Sequence, residues 1–261
     1  AGMRILGPNC LGAFNTPAGV CLSPSVTMSV DKLHKGRVGV VSQSGALQTA
    51  MFIRAFDAGI GFSSAITLGN QADLELSDGF EYLVDDPDTD AILIYVEGLK
   101  DHERFKRAAL RARVMGKPVV AVKAGRTDAG AAMANSHTAS LTGSYEAFSA
   151  LCESVGIVVT DQPDTAVFCA DALARWGAPK AYGVAVASGS GGAAALAADA
   201  IDDSNFHAAR LGPRAIAHLA DHLPVRKETA NVDFGAYFSA FDPAVMRDTL
   251  ETFADEPDVG A

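Results

Sequence analysis

The chain has 261 residues, 49% of them apolar, a formal charge of −10 and one tryptophan, Trp176, enough apolar material for a large interior in one or two domains. The acidic balance argues against a nucleic-acid partner, whose phosphates need clustered Lys and Arg, and no apolar run approaches the ~20 residues that span a bilayer, so no membrane is expected. Cys10, Cys21, Cys152 and Cys169 show neither C-x-x-C spacing nor paired histidines, which supports no zinc site and no disulfide framework and points to a reducing cytosol, hence a cytoplasmic protein.

In chain order, short apolar runs alternate with helical patterns. The spacing predicts strands over Val38–Val41, Ser64–Thr67, Ala91–Val96, Val119–Lys123 and Ile157–Val158. Between them it predicts helices over Ala46–Asp57, Ser77–Val84, Asp101–Met115, Ser144–Ser154 and Asp164–Arg175. That alternation places the chain in the α/β class, with a parallel, doubly wound sheet of flavodoxin type. The basic stretch from Arg104 to Arg113 reads as the solvated face of a helix. Trp176-Gly177-Ala178-Pro179-Lys180 is the clearest linker. Beyond it, Tyr182–Ala187 opens a second unit with the same grammar.

Three groups of residues carry chemistry. Two strand-to-helix junctions are rich in Ser and Gly: Ser42-Gln43-Ser44-Gly45, and Ser188-Gly189-Ser190-Gly191-Gly192-Ala193. At such a junction the unpaired N–H groups of the first helical turn, hydroxyl donors and the positive end of the helix dipole converge, which suits a dianion. Either one alone reads more readily as an ordinary cap or tight turn. Between them lies Asn135-Ser136-His137-Thr138-Ala139-Ser140-Leu141-Thr142-Gly143, a histidine in a run of small residues that reads as a loop able to carry the ring, with Gly125 and Gly130 supplying freedom upstream. Glu97 ends the apolar strand Ile92–Val96 and faces the functional edge of a parallel sheet. A carboxylate bonded to one ring nitrogen of His137 would set the tautomer and leave the other nitrogen free to attack phosphorus. His34, His102, His207, His218 and His222 have no matching carboxylate motif and read as structural.

Gly36 to Leu47, Tyr95-Val96-Glu97-Gly98, Lys123-Ala124-Gly125-Arg126, Ser136 to Leu141 and Ser190-Gly191-Gly192-Ala193 resemble the nucleoside-diphosphate-forming acyl-CoA synthetases, relatives of succinyl-CoA synthetase. The resemblance covers almost the whole chain, and the histidine segment is its most specific part. It implies two flavodoxin-like domains, over 37–176 and 177–261, the second truncated, preceded by the tail of a CoA-binding domain and a linker over 1–36. It also implies His137 as the phosphohistidine and Glu97 as its partner. Ser42, Gln43, Ser44 and Gly45 would bind phosphate at the first "power helix", and Ser190, Gly191, Gly192 and Ala193 at the second. Arg4 to Gly12 is similar to the last strand and loop of the CoA-binding domain, which places Asn9 and Cys10 near the acyl group and CoA, with packing favoured over nucleophilic catalysis for Cys10. Asn231-Val232-Asp233 resembles the family's Asn-Pro-Val-Asp signature without its proline.

The implied reaction joins a carboxylic acid, CoA and NTP to give acyl-CoA, NDP and phosphate. CoA and ATP or ADP with Mg²⁺ would be substrates of the full enzyme, and this chain would hold no metal and no tightly bound cofactor. A nucleotide-grasp domain or subunit, found nowhere in these residues, is the implied partner, and assembly as a homo-oligomer is compatible with it. The chain is therefore expected to be a fragment of a longer polypeptide, trimmed to begin at Ala1 and inactive by itself. Neither Ser44 nor Ser190 spells the G-x-S-x-G elbow of a serine hydrolase, and no aromatic pair stands ready to sandwich a flavin. The remaining rival is a non-catalytic ligand-sensing domain of an acyltransferase-type fusion protein. His137 and Glu97 together favour chemistry, because a sensor has little need of an oriented imidazole.

Overall fold

The computed structural model describes residues 2–25, 33–138, 143–220, 230–234 and 243–260, with the side chains of 135–138 also left out. It divides into two compact units, Ala1–Gly177 and Ala178–Ala261. In the first unit, the strands are β1 (Ala13–Asn15), β2 (Val20–Leu22), β3 (Lys35–Ser42), β4 (Phe62–Thr67), β5 (Ala91–Val96), β6 (Val119–Lys123) and β7 (Val158–Thr160). They form one sheet in the order β2-β1-β4-β3-β5-β6-β7. Pairing is parallel from β4 through to β7 and antiparallel for β1 with β4 and β2. The five parallel strands follow the flavodoxin order, with the chain reversing direction between β3 and β5.

Central strands buried on both faces need continuous apolar runs, and Ala-Ile-Leu-Ile-Tyr-Val in β5 and Val-Val-Ala-Val-Lys in β6 supply them. Helices α1 (Gly45–Asp57), α2 (Leu76–Asp85), α3 (His102–Val114), α4 (Asp128–Thr138), α5 (Tyr145–Val155) and α6 (Pro163–Trp176) connect them. Phe80, Phe105 and Phe148 of α2, α3 and α5 pack on Ile92, Ile94 and Val96. On the opposite face Met51 and Phe52 of α1 and Ala166, Val167 and Ala170 of α6 cover Leu93, Val120 and Val122. Residues of β5 and β6 therefore alternate between two cores.

Four expectations change. Arg4–Gly12 forms no strand, and Ala13–Leu22, expected to be linker, adds a β1–β2 hairpin to the sheet edge. The histidine segment is helical through Thr138, so His137 stands in the last turn of α4 and not in an open loop. Its start is set by Gly125, which adopts a left-handed φ of 80°. The Arg104–Arg113 face is ion-paired: Arg104 bonds Asp78 and Glu81 of α2 at 2.9 and 2.6 Å, and Arg111 meets Asp85 at 2.5 Å. Finally, His207 and His218 do have carboxylate partners, Asp258 and Asp248, each 2.9 Å away on the surface. His222 lies outside the described residues.

In the second unit the strands are short: β8 (Gly183–Val184), β9 (Val186–Ser188), β10 (His207–Ala208) and β11 (Asn231–Asp233). Pairing is parallel, β8 with β10 and β9 with β11, and a parallel bridge joins Gly183 to Val259. Helices α7 (Gly191–Asp202), α8 (Pro213–Ala220) and α9 (Pro243–Ala254) complete the unit, whose core includes Leu211, Leu219, Val232, Phe234 and Phe253. Asn231-Val232-Asp233 is thus a strand, proline or not. Among the described residues no helix is long and apolar enough to cross a membrane, no group of His, Cys, Asp and Glu could hold a metal ion, and all four cysteines are free thiols.

Candidate active site

The site of the first unit begins where the chain reverses, at the carboxyl ends of β3 and β5. Ser42 is fully buried. Its hydroxyl donates to the Ser44 carbonyl at 2.7 Å and accepts the Ser44 N–H at 3.1 Å. That turn holds Ser44 in extended backbone as the cap of α1, with its hydroxyl accepting the Leu47 N–H at 3.3 Å. The N–H groups of Gly45 and Ala46 precede the intrahelical ladder at the positive end of the dipole.

The second unit repeats this turn. Ser188 donates to the Ser190 carbonyl at 2.9 Å and accepts its N–H at 3.1 Å, and Ser190 caps α7 by accepting the Ala193 N–H at 3.4 Å. Glycine at each helix start answers to space. A Cβ on Gly45 would lie 2.5 Å from Leu11 Cγ, and one on Gly191 would lie 2.9 Å from an Asp233 carboxylate oxygen. A Cβ on Gly192 would lie 3.8 Å from Ser190 Oγ, an ordinary contact.

Glu97 and its turn are tied to the start of α1 by Gln43. Gln43 Oε1 accepts the Gly98 N–H at 3.0 Å and also the Glu97 N–H, while Nε2 donates to the Gly98 carbonyl at 2.7 Å. The Gln43 N–H donates to the Tyr95 carbonyl at 3.3 Å. A phosphate contact is implied for this residue, but its carboxamide is engaged by the acid-bearing turn. The half-buried Glu97 side chain accepts the Tyr95 hydroxyl. Burial first, then the charge of Glu97 and that hydrogen bond, push the Tyr95 phenol up to about 12.

From the other side comes Lys123, the last residue of β6 and 5% exposed. Its Nζ donates to the Glu97 carbonyl at 2.9 Å and the Ala124 carbonyl at 2.7 Å. Burial lowers its pKa, partly offset by the charge of Glu97. No side-chain motif in the sequence reveals a role for Lys123, because its partners are backbone carbonyls. Thr67 stands opposite Ser42 in the β3–β4 ladder, and among the described residues its buried hydroxyl, like Gln48 Oε1 in α1, has no hydrogen-bond partner.

Pro8, Asn9 and Leu11, which flank or adjoin Cys10, touch this edge. The Pro8 carbonyl accepts the Asn70 N–H at 2.9 Å, Asn9 Nδ2 donates to Asn70 Oδ1 at 3.2 Å, and Leu11 rests on Gly45. The Cys10 thiol donates to the Leu6 carbonyl at 3.7 Å, a packing role. His137 follows from β6 through α4, but its side chain, with Ala139–Thr142, lies outside the described residues.

A flavodoxin-type sheet with a Ser-capped helix start tied through Gln43 to the backbone of a strand-end turn defines the class of this α/β protein. The chain belongs to the family described as succinyl-CoA ligase like flavodoxin domain, whose profile matches residues 35–173. It is 39% identical over 223 residues to the alpha subunit of acetate–CoA ligase [ADP-forming] II of Pyrococcus furiosus, covering 85% of this chain and 47% of that protein. It is 38% identical over 230 residues to acetate–CoA ligase [ADP-forming] I of Archaeoglobus fulgidus, covering 88% of this chain and 33% of that one. A solved structure of a Ca. Korarchaeum cryptofilum dinucleotide forming acetyl-coenzyme A synthetase 1, in complex with phosphate and ADP, superposes with a TM-score of 0.85 at 28% identity over 99% of this chain and 55% of its own. The chain thus spans about half, or less, of the length of these relatives.

Proposed function

We propose that this chain is the phosphate-relay part of an acid–thiol ligase that interconverts acid, CoA and NTP with acyl-CoA, NDP and phosphate. In the synthetic direction His137 attacks the γ-phosphorus of the nucleotide, whose NDP leaves with the electron pair of the broken P–O bond. The carboxylate oxygen of the acid then attacks the phosphohistidine, releasing the imidazole and forming the acyl phosphate. The CoA thiol, losing its proton, attacks the acyl carbon and expels phosphate. Glu97 orients the imidazole and balances its positive charge while it carries phosphate.

The two Ser-capped helix starts hold the phosphoryl group at different stages, Ser42, Ser44 and Gly45 at one and Ser190, Gly191, Gly192 and Ala193 at the other. Asn9 and Cys10 lie next to the acyl and CoA moieties. Mg²⁺ accompanies the nucleotide, which is held by a nucleotide-grasp domain or subunit beyond these residues. Without that remainder the chain turns nothing over. A cytoplasmic setting suits its four free thiols.

The observation that carries this reading is the repetition, in two units of one chain, of the same Ser-x-Ser cap at a helix start. A single cap is ordinary; two with matched hydroxyl geometry support the reading of two sites for one kind of anion. The test is to incubate full-length protein with γ-labelled ATP and Mg²⁺, beside a His137→Asn control. The expected label is acid-labile and base-stable and disappears in the control. Label that persists in His137→Asn, or a wild type that takes none and only binds ligand, overturns the assignment.

A further inference from the structure

Lys123 is a buried ammonium whose two resolved hydrogen bonds both go to backbone carbonyls. Burying a cation is expensive unless its partners are well placed, so its location calls for a reason. One bond goes to Glu97, the other to Ala124, the first residue of the segment that leads through Gly125 into α4 and His137. The Ala124 N–H in turn donates to the Val96 carbonyl at 2.9 Å. One ammonium therefore joins the root of the acid to the root of the histidine-bearing helix.

Glu97 is gripped from two sides. Gln43, from the start of α1, accepts its N–H, and Lys123, from β6, donates to its carbonyl. With both backbone groups held, the direction in which the side chain leaves the strand is restricted to its own torsions. Among the described residues, the neutral Tyr95 phenol on its own strand and the Lys123 ammonium on the neighbouring one face Glu97.

Resting on the phosphate-relay reading, we propose that Lys123 is a positioning residue of the relay, fixing the Glu97 carboxylate relative to the base of α4 so that the acid meets the imidazole in one geometry. A glutamine, methionine or leucine at 123 would fill the space without a cation to bind both carbonyls. Loss of a partner that orients a functional side chain commonly costs about 10- to 100-fold.

The test uses the complete enzyme, this chain with its nucleotide-grasp partner, and follows single-turnover labelling of His137 from γ-labelled ATP. Lys123→Met is expected to slow labelling about 10- to 100-fold while KM for ATP stays within about twofold. In a Glu97→Gln background the same change should slow it by less than about twofold, because residues that act as a unit are non-additive. A purely structural role would give the same loss in either background and would overturn the proposal. Wild-type rates in Lys123→Met would overturn it too. If Lys123→Met fails to fold, as judged by its urea midpoint, Lys123→Gln takes its place in the same cycle with the same two outcomes. Absence of label from wild type would overturn the relay reading and this inference together; normal wild-type labelling with an additive cycle overturns this inference alone.

Discussion

Gln43 shows how one side chain joins two strand ends. Its carboxamide satisfies two N–H groups and one carbonyl of the Glu97–Gly98 turn. Gln43→Leu, nearly the same size, should reduce stability by about 2 kcal/mol, because unpaired, partly buried donors lose their hydration without compensation. It should also slow His137 labelling, since Glu97 is then held from the Lys123 side only. Denaturant midpoints and single-turnover labelling measure the two effects; a variant as stable and as fast as wild type would refute the clamp. Gly45 makes a different point at the same scale. Its glycine admits Leu11, so Gly45→Ala should cost about 1–3 kcal/mol by overpacking, and less than that in a Leu11→Ala background, as equilibrium unfolding would show.

Helices α2 and α3 are held together by an apolar face and by Arg104, which is 28% exposed and sits among Glu75, Asp78 and Glu81. Burial alone would raise the Asp78 carboxyl; the Arg104 hydrogen bond, the Glu75 N–H and the charges of Arg104 and Arg4 outweigh it and leave the pKa below the usual carboxylate range. A carboxyl depressed in the folded state adds stability that is complete above its unfolded pKa, near 4, and is lost as pH falls through the folded value. Arg104→Met should therefore lower stability by about 1–2 kcal/mol at pH 7, between the exposed-pair and buried-pair ranges. It should also flatten the acid limb below about pH 4. Urea midpoints from pH 2 to 7 test this; an acid limb of unchanged slope would contradict it. The α4 helix belongs to this scale as well. Its Ala and Gly content reads as a flexible loop, yet Ala131, Ala132 and Ala134 are strong helix formers, and the left-handed Gly125 gives the helix a place to start.

Across the whole chain, residues 175–180 are exposed between the two units, with Trp176 79% and Tyr182 67% exposed. Exposed loop tips with few backbone hydrogen bonds are where proteases cut. Brief chymotrypsin treatment should therefore cut first after Trp176 or Tyr182, releasing a fragment that mass spectrometry assigns to the first unit. First cleavage inside β3–β6 would mean that the sheet is not the stable body described. The thiols point the same way on reactivity: burial pushes Cys152 up to about 12 and raises Cys169, so neither should react quickly with alkylating reagents at pH 7.

Much of this was legible locally. The runs Ala91–Val96 and Val119–Lys123 coincide with β5 and β6, because a strand buried on both faces needs unbroken apolar residues. Ser44 and Ser190 announce helix starts because a cap acts within three residues of itself. The family resemblance named Glu97 and the junction residues by their order. The β1–β2 hairpin, the grip of Gln43 and Lys123 on the Glu97 turn, and the carboxylates that meet His207 and His218 were not legible. Each depends on groups between 26 and 55 residues apart or on three-residue strands paired to a distant edge. Sequence periodicity determined which segments become strands and helices, since that depends on neighbours a few positions away. Tertiary structure alone decided which backbone carbonyl a buried cation would find, since that depends on which strands lie side by side.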